Sequence, residues 1–245
     1  MAVASPKLIE ILKRARKIVF LTGSGISAES GIPTFRGAEG LWKNFKPEEL
    51  ASFNAFIKNP DRVWEWYQFR RDIILNSKPN AGHFAIKDFE KHFPSVIVVT
   101  QNVDNLHRAA GSSEIYELHG NIMKNYCIRC KKRYDFEKFT LKEECPKCDC
   151  GGLIRPDVVW FGENLNDSVY SAAENSVDEA DFVIVSGSSN IVYPAALLPQ
   201  IAIRKGIFTV EINIERTELS HMMDEFIAGK SGDIIPSLLR EYLES

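Results

Sequence analysis

The sequence predicts a doubly wound α/β fold, a parallel sheet covered by helices on both faces, and three observations lead to it. Four short, apolar, β-branched runs, Lys17 to Thr22, Ser95 to Thr100, Asp181 to Gly187 and Ile207 to Asn213, read as strands buried on both faces. Segments of helical period, such as Asn80 to Phe93 and Pro194 to Lys205, lie between them, the alternation that builds parallel sheets. The first run ends in Gly23-Ser24-Gly25, where a ligand would meet the carboxyl edge of the sheet.

Two stretches break this rhythm. Residues from Ala38 to Lys78 are helical in pattern and rich in Trp, Tyr and Phe, and Asn121 to Arg155 is polar, Lys-rich and holds every cysteine. They are expected to form a smaller lobe of one single domain. The main lobe then comprises residues 1–37, 79–120 and 156–245, with a helical insertion at 38–78 and a metal-binding module at 121–155. No internal repeat, low-complexity tract or long linker interrupts the chain.

With 245 residues, 44% of them hydrophobic, the chain has material for a sizeable core. A formal charge of −3 is too small to steer the protein onto nucleic acid or an anionic membrane. The N-terminal Met1-Ala2-Val3-Ala4-Ser5-Pro6-Lys7 has no apolar run suited to a signal peptide or a spanning helix, so a cytoplasmic location is expected. The five cysteines are odd in number and confined to Cys127 through Cys150, which suits a metal site in a reducing compartment better than a disulfide framework.

The segment Gly23-Ser24-Gly25-Ile26-Ser27-Ala28 has the form G-x-G-x-x-A. By itself it fits a pyrophosphate cradle and an unliganded strand-to-helix turn alike. The ordinary dinucleotide fingerprint has an acidic residue closing a second strand about twenty residues on. Here the chain instead continues as a Gly- and Pro-studded loop, Glu29 to Gly37, large enough to fold over a ligand. Thr100-Gln101-Asn102-Val103-Asp104 ends the second run in two amides and a carboxylate. These read either as ligand-holding groups or as the cap of a helix from Asn105 to Ala110. In Glu117-Leu118-His119-Gly120, His119 is either a satisfied structural residue or the natural general base. In the helix expected over Asp61 to Asn76, Val63, Trp66, Tyr67, Arg70 and Ile74 share one face, and Glu65, Gln68 and Asp72 fall on the other. A buried Arg70 needs an anion, drawn from a substrate or from the protein's own carboxylates.

Cys127-x-x-Cys130 is followed, after a fourteen-residue spacer, by Cys145-x-x-Cys148, with Cys150 two residues further on. Two such pairs close a tetrahedral thiolate site for one Zn²⁺ per chain, and four sulfurs leave no open position for water, so the zinc is structural. The spacing leaves open whether Cys145 pairs with Cys148 or with Cys150.

Taken in order, these segments resemble the sirtuin family over nearly the whole chain. The matching pieces are Gly23 to Gly37 (GSGISAESGIPTFRG), Gln101 to Asp104 (QNVD), Glu117 to Gly120 (ELHG), the cysteine pairs, Arg155 to Glu163 (RPDVVWFGE), Gly187 to Ala195 (GSSNIVYPA) and Glu211 to Asn213. The resemblance implies a Rossmann-like large lobe, with NAD and an extended acyl-lysine peptide bound between the lobes. It implies that Gly23, Ser24, Gly25, Ser27, Ala28, Phe35 and Arg36 line the NAD pocket. Gln101, Asn102 and Asp104 would hold nicotinamide and its ribose, and His119 would be the base. Gly187, Ser188, Ser189, Asn213, Ile214, Glu215 and Ser231 would contact the adenosine half, and Val158, Trp160, Phe161 and Gly162 would pair with substrate backbone. Ser24 stands where the family usually has Ala.

In the chemistry this implies, the acyl oxygen attacks the anomeric carbon of the nicotinamide ribose while Phe35 shields the cationic sugar, and His119 deprotonates a ribose hydroxyl. The products are free lysine, nicotinamide and O-acyl-ADP-ribose. Within the family the chain is most similar to class III, the desuccinylase type. Tyr67 and Arg70 match its Tyr-x-x-Arg, Ala38 its small pocket-widening residue, and Pro79 to His83 its PNAGH run. That class implies a succinyl, malonyl or glutaryl carboxylate as the anion for Arg70. Its four-residue spacing of the second cysteine pair implies Cys145 and Cys150 as ligands beside Cys127 and Cys130, with Cys148 spare. Rival readings are a deacetylase without acidic-acyl preference, a zinc-containing NAD oxidoreductase, which would make NADH, and a non-catalytic NAD or ADP-ribose sensor.

Overall fold

The computed structural model describes residues 3–35, 46–135 and 144–245. In chain order, α1 (Pro6–Arg14) leads into β1 (Lys17–Thr22) and the single turn α2 (Gly25–Ala28). Then come α3 (Pro47–Leu50), α4 (Phe53–Lys58), α5 (Pro60–Leu75), α6 (Ala81–Phe89), β2 (Ser95–Thr100), α7 (Leu106–Ala109) and β3 (Glu114–Glu117). β4 (Gly120–Cys127), β5 (Arg133–Asp135) and β6 (Ile154–Val158) follow. The chain ends with α8 (Asp167–Asp178), β7 (Phe182–Ser186), α9 (Leu197–Lys205), β8 (Phe208–Asn213), β9 (Glu225–Ala228) and α10 (Ser231–Glu244).

The expected α/β class is the one found. Six strands form a wholly parallel sheet in the order β3-β2-β1-β7-β8-β9. The four apolar runs are its central strands. The two edge strands, β3 and β9, are four residues long and begin with Glu, so no continuous apolar run marks them. Along the central strands alternate residues face opposite layers. Phe20, Val98, Ile184 and Val210 pack with Leu12 of α1, Phe89 of α6 and Leu238 of α10, while Val19, Val99 and Val185 pack with Val177 of α8 and Leu198 of α9. Each such fully buried side chain contributes roughly 1.5–3 kcal/mol, which is why these strands read as unbroken hydrophobic runs. Strand order reverses between β1 and β7, and Thr22 aligns with both Thr100 and Ser186 there, so three carboxyl ends meet at one switch point.

β5-β4-β6 form a separate antiparallel sheet. One core joins it to the helical insertion: Phe56, Trp64, Tyr67 and Ile74 pack with Ile122, Val158 and Trp160. α5 starts where Asn59 accepts the Arg62 N–H and Pro60 fixes the first turn. Its buried arc is wider than the sequence suggested. Gln68, expected on the outer side, is buried together with Trp64 and Arg71, because α5 is covered on two sides. Among the described residues no helix is long and apolar enough to cross a membrane.

Candidate active site

At the switch point the glycines first serve packing. A Cβ on Gly25 would lie 2.6 Å from Gly187 Cα, and one on Gly23 would lie 2.7 Å from Gly187 O, while Gly187 itself has φ +62°. The two loops leaving β1 and β7 therefore interlock backbone to backbone, which only glycine permits. Gly25 N–H donates to Gly187 O at 2.9 Å, closing the contact. Ser24 and Ser27 line the cavity beside it, whereas Ala28 is exposed.

The loop after β2 enters the same cavity. Asn102 donates from Nδ2 to Gly23 O at 3.0 Å and to Ser27 Oγ at 3.2 Å, and Ser27 Oγ in turn donates to Asp104 Oδ2 at 2.6 Å. Asp104 Oδ1 accepts the Leu106 N–H at 3.0 Å. Asp104 thus both secures the first N–H of α7 and lines the cavity. Asn102 caps nothing. Burial raises the Asp104 carboxyl above its ordinary value, opposed by the Ser27 hydroxyl, the Leu106 N–H and the Arg70 charge.

His119, in the turn between β3 and β4, contacts Gln101 O through Nδ1 at 3.0 Å. A carbonyl only accepts, so Nδ1 carries the proton and Nε2 is left as an acceptor. Burial holds this imidazole below its usual value, with the Gln101 carbonyl opposing. Gln101 extends the network from Nε2 to Ser188 Oγ at 3.1 Å. Asn213 Nδ2 then donates to Ser188 O at 2.9 Å, and Ser231 Oγ meets Ser186 Oγ at 2.8 Å. Ser189 lies half-buried next to this cluster, and Ile214 and Glu215 are exposed beyond it. Glu211, which the sequence placed in a matching stretch without a role, is fully buried in β8 and accepts from Thr217 Oγ1 at 2.6 Å and Asn190 Nδ2 at 3.3 Å.

The far wall of the cavity is Phe35 and α5. The Arg70 guanidinium sits 4.9 Å from the Phe35 ring centroid and 5.6 Å from that of Tyr67. Among the described residues no carboxylate lies within ion-pair distance of Arg70, which is 8% exposed. Burial lowers its pKa, opposed by Tyr67 and then Asp104. Tyr67 OH accepts the Trp160 indole N–H at 2.8 Å, which leaves the phenolic O–H as a donor. Val158 and Trp160, expected beside substrate backbone, are buried, while Phe161 is 46% exposed and Gly162 has φ +85°. The Val159 and Phe161 N–H groups are engaged by His119 O and Ala51 O, both at 2.9 Å. Arg36 and the pocket-widening Ala38 lie outside the described residues.

In the small sheet, Cys127, Cys130, Cys148 and Cys150 bring their sulfurs within 4.8 Å of one another. Cys127 Sγ lies 3.5 Å from Cys150 Sγ, and Cys130 Sγ lies 3.5 Å from Cys148 Sγ. Tyr134 OH donates to Cys148 Sγ at 3.0 Å and Arg129 N–H to Cys127 Sγ at 3.4 Å, hydrogen bonds that favour thiolates. A Cβ on Gly152 would fall 2.7 Å from Cys127 Sγ, so glycine there keeps the sulfur in place. Four converging thiolates with no fifth donor fit a structural zinc.

A family model described as "Sir2 family" matches residues 23–194, well over half of the chain and most of the elements just described. The chain belongs to the Sir2 family. An "NAD-dependent protein deacylase 2" of Pyrobaculum aerophilum is 46% identical over 233 residues, covering 95% of this Sir2 chain and 93% of that one. An "NAD-dependent protein deacylase" of Thermococcus kodakarensis is 46% identical over 238 residues, covering 94% and 93%. Among solved structures, a Sir2 homologue in complex with NAD superimposes with a TM-score of 0.93 at 42% identity, covering 99% of this chain and 95% of that one. A Sir2 bound to a p53 peptide and NAD⁺ superimposes at 0.87 with 33% identity, covering 98% and 99%.

The Sir2 chain corrects one expected zinc ligand. Cys148, not Cys145, completes the cluster with Cys150. Cys145 is buried instead, with Sγ 3.3 Å from Ile154 O, and burial pushes its thiol up to about 12. The second pair is therefore Cys148-x-Cys150, whose ligands fit because Cys148 N–H donates to Gly152 O at 2.8 Å and tightens the turn. Cys148→Ser is expected to abolish stoichiometric zinc and lower the melting temperature, with activity lost only through unfolding. Cys145→Ser is expected to keep the zinc. Metal content and thermal melts check both, and the reverse pattern would restore Cys145 as the ligand.

Beside the carboxyl end of β1, two buried imidazoles meet, His83 and His107, with ring centroids 4.9 Å apart. His83 Nδ1 accepts the Asn80 N–H at 3.3 Å and His107 Nε2 meets Thr22 Oγ1 at 2.9 Å. Burial lowers His83 to about 4 and His107 to about 3, the latter helped by His83. Unfolded imidazoles titrate near 6.5, so below that pH the unfolded chain binds more protons than the folded one. Stability is complete above about pH 6.5 and falls as pH drops toward the folded values, by up to about 1.4 kcal/mol per pH unit for each ring. Urea unfolding at pH 7.5, 6 and 5 tests this. His107→Gln should flatten the profile, and an unchanged slope would contradict the assignment.

Proposed function

We propose that this Sir2 enzyme removes acyl groups from protein lysine side chains and favours acyl groups that end in a carboxylate. Succinyl, malonyl and glutaryl are the groups meant. The broader activity is the firmer part: the chain is an NAD-dependent protein deacylase that forms O-acetyl-ADP-ribose from acetylated substrate. The observation that supports the finer preference is Arg70. A guanidinium buried against two aromatic rings, with no carboxylate in ion-pair reach among the described residues, is suited to pair with a substrate carboxylate. Tyr67 adds a phenolic donor one turn away.

The other residues take the following parts. His119, neutral and protonated on Nδ1, offers Nε2 as the base for a ribose hydroxyl. Asn102 and Asp104, cross-linked through Ser27, hold the nicotinamide-ribose end, and Phe35 excludes water from it. Gln101 links that end to Ser188 and through it to Asn213, and these two, with Ser231 beside Ser186, hold the adenosine half. The loop Val158 to Gly162 accepts the peptide at its exposed end, Phe161 and Gly162. Mass spectrometry of acetyl, succinyl, malonyl and glutaryl peptides incubated with NAD is the test. Nicotinamide with O-acyl-ADP-ribose from the dicarboxylic acyl peptides is expected. Turnover of the acetyl peptide alone would leave a plain deacetylase, and NADH formation would overturn the deacylase reading itself.

A further inference from the structure

Arg71, the neighbour of Arg70, is fully buried and projects about 100° around α5 from it, toward β4. Nε donates to Ile122 O at 2.7 Å, one Nη to Gln68 Oε1 at 3.1 Å and the other to Asn125 Oδ1, and the guanidinium lies 5.1 Å from the Trp64 ring centroid. All three acceptors are neutral. Ile122 and Asn125 belong to β4, whose pairing with β6 shifts register between Asn121 and Asn125. Ile122 lies inside that shift with no register partner in β6, and its carbonyl meets Arg71 instead.

Ile122 faces two ways. Its carbonyl accepts from Arg71, and its N–H donates to Val103 O at 2.9 Å, between Asn102 and Asp104. A single residue of β4 therefore ties α5 to the loop that forms the opposite wall of the cavity. Two further bonds fasten α5 to the same side of the molecule: Asp61 Oδ1 accepts the Cys145 N–H at 2.8 Å, and Tyr67 OH accepts from Trp160 at 2.8 Å. Of these fastenings only Arg71 is forked, so it fixes helix rotation as well as distance.

We propose that Arg71 is a positioning residue for acyl recognition, setting the rotation of α5 against β4 so that Arg70 faces Asn102 and Asp104 across the cavity. This rests on the reading of Arg70 as the partner of the acyl carboxylate. Losing the fork lets α5 turn by a fraction of an ångström, which misaims Arg70 more than it disturbs NAD, held by other elements.

The test is a four-way comparison: wild type, Arg70→Met, Arg71→Met and the double variant. kcat/KM is measured for succinyl and acetyl peptides, with KM for NAD and the melting temperature alongside. Arg71→Met is expected to lower the succinyl-to-acetyl ratio by about tenfold, chiefly through KM of the succinyl peptide. In the Arg70→Met background the same change should leave the ratio where it was, since Arg71 acts through Arg70. Arg71→Lys, a point donor without the fork, should fall between Arg71→Met and wild type. Equal losses on both substrates, or a ratio that moves as much without Arg70 as with it, would make Arg71 a structural residue only. An Arg70→Met variant whose own ratio matched wild type would instead sink the carboxylate reading, whatever Arg71 does. If Arg71→Met fails to fold, Asn125→Ala removes one acceptor and enters the same comparison, with an expected ratio change of about two- to threefold and the same overturning results.

Discussion

His119→Ala is expected to cut deacylation by at least about 10²-fold while fold and zinc content stay as in the wild type. The Gln101 carbonyl fixes the proton on Nδ1, and burial keeps the ring neutral, so Nε2 is a ready acceptor at neutral pH. His83 and His107 are not placed to substitute: both are buried, His83 Nδ1 against the Asn80 N–H and His107 Nε2 against the Thr22 hydroxyl. The sign of the pH dependence follows. A base whose pKa is held below 6.5 loses activity as pH falls through that lower value, so the acid limb of kcat/KM should have its midpoint below pH 6.5. Steady-state kinetics over pH 5 to 8 measures both effects. A near wild-type rate for the variant would remove His119 from the mechanism, and an acid midpoint above 6.5 would contradict its environment.

Arg70→Met carries the second large effect, and it is selective. A charge-assisted, bidentate bond from a buried guanidinium to an acyl carboxylate contributes on the order of 2–3 kcal/mol, or roughly 30- to 150-fold in kcat/KM for succinyl-lysine. Acetyl-lysine has no carboxylate to lose, so its turnover should change far less. Methionine fills the space between Phe35 and Tyr67 without the charge, which keeps the cavity wall apolar and packed. Tyr67→Phe should show the same selectivity more weakly, because it removes one neutral donor and also leaves the Trp160 indole without its acceptor. Parallel kcat/KM measurements on the two peptides separate the cases. Equal losses would mean that Arg70 is a structural cation.

The central sheet could be read from the chain because buried parallel strands such as Val96 to Val99 are continuous apolar runs. β3 and β9 could not, since edge strands of four residues need no continuous apolar run. The chemistry of the cavity was visible in Ser27, Asn102, Asp104 and His119, but not the way they are joined. Nothing in the spacing of Ser27 and Asp104 says that a hydroxyl bridges them, because that contact is made by β1 and β2 lying side by side. Cys148 was misassigned because a spacing rule counts residues, whereas the turn at Gly151 and Gly152 decides which sulfurs converge. Gln68 read as an outward-facing residue of an amphipathic helix, and Arg71 drew no reading at all. The small sheet covering that side of α5 has no local signature, and it turns them into interior groups.

A single competition reaction tests the central claim most directly. Equal concentrations of a succinyl and an acetyl peptide of the same sequence share a limiting amount of NAD, and the two O-acyl-ADP-ribose products are counted by mass spectrometry, so that their ratio is the ratio of kcat/KM. The account predicts that the succinyl product dominates with the wild-type protein and that the acetyl product dominates with Arg70→Met. The same product ratio from both proteins would contradict it.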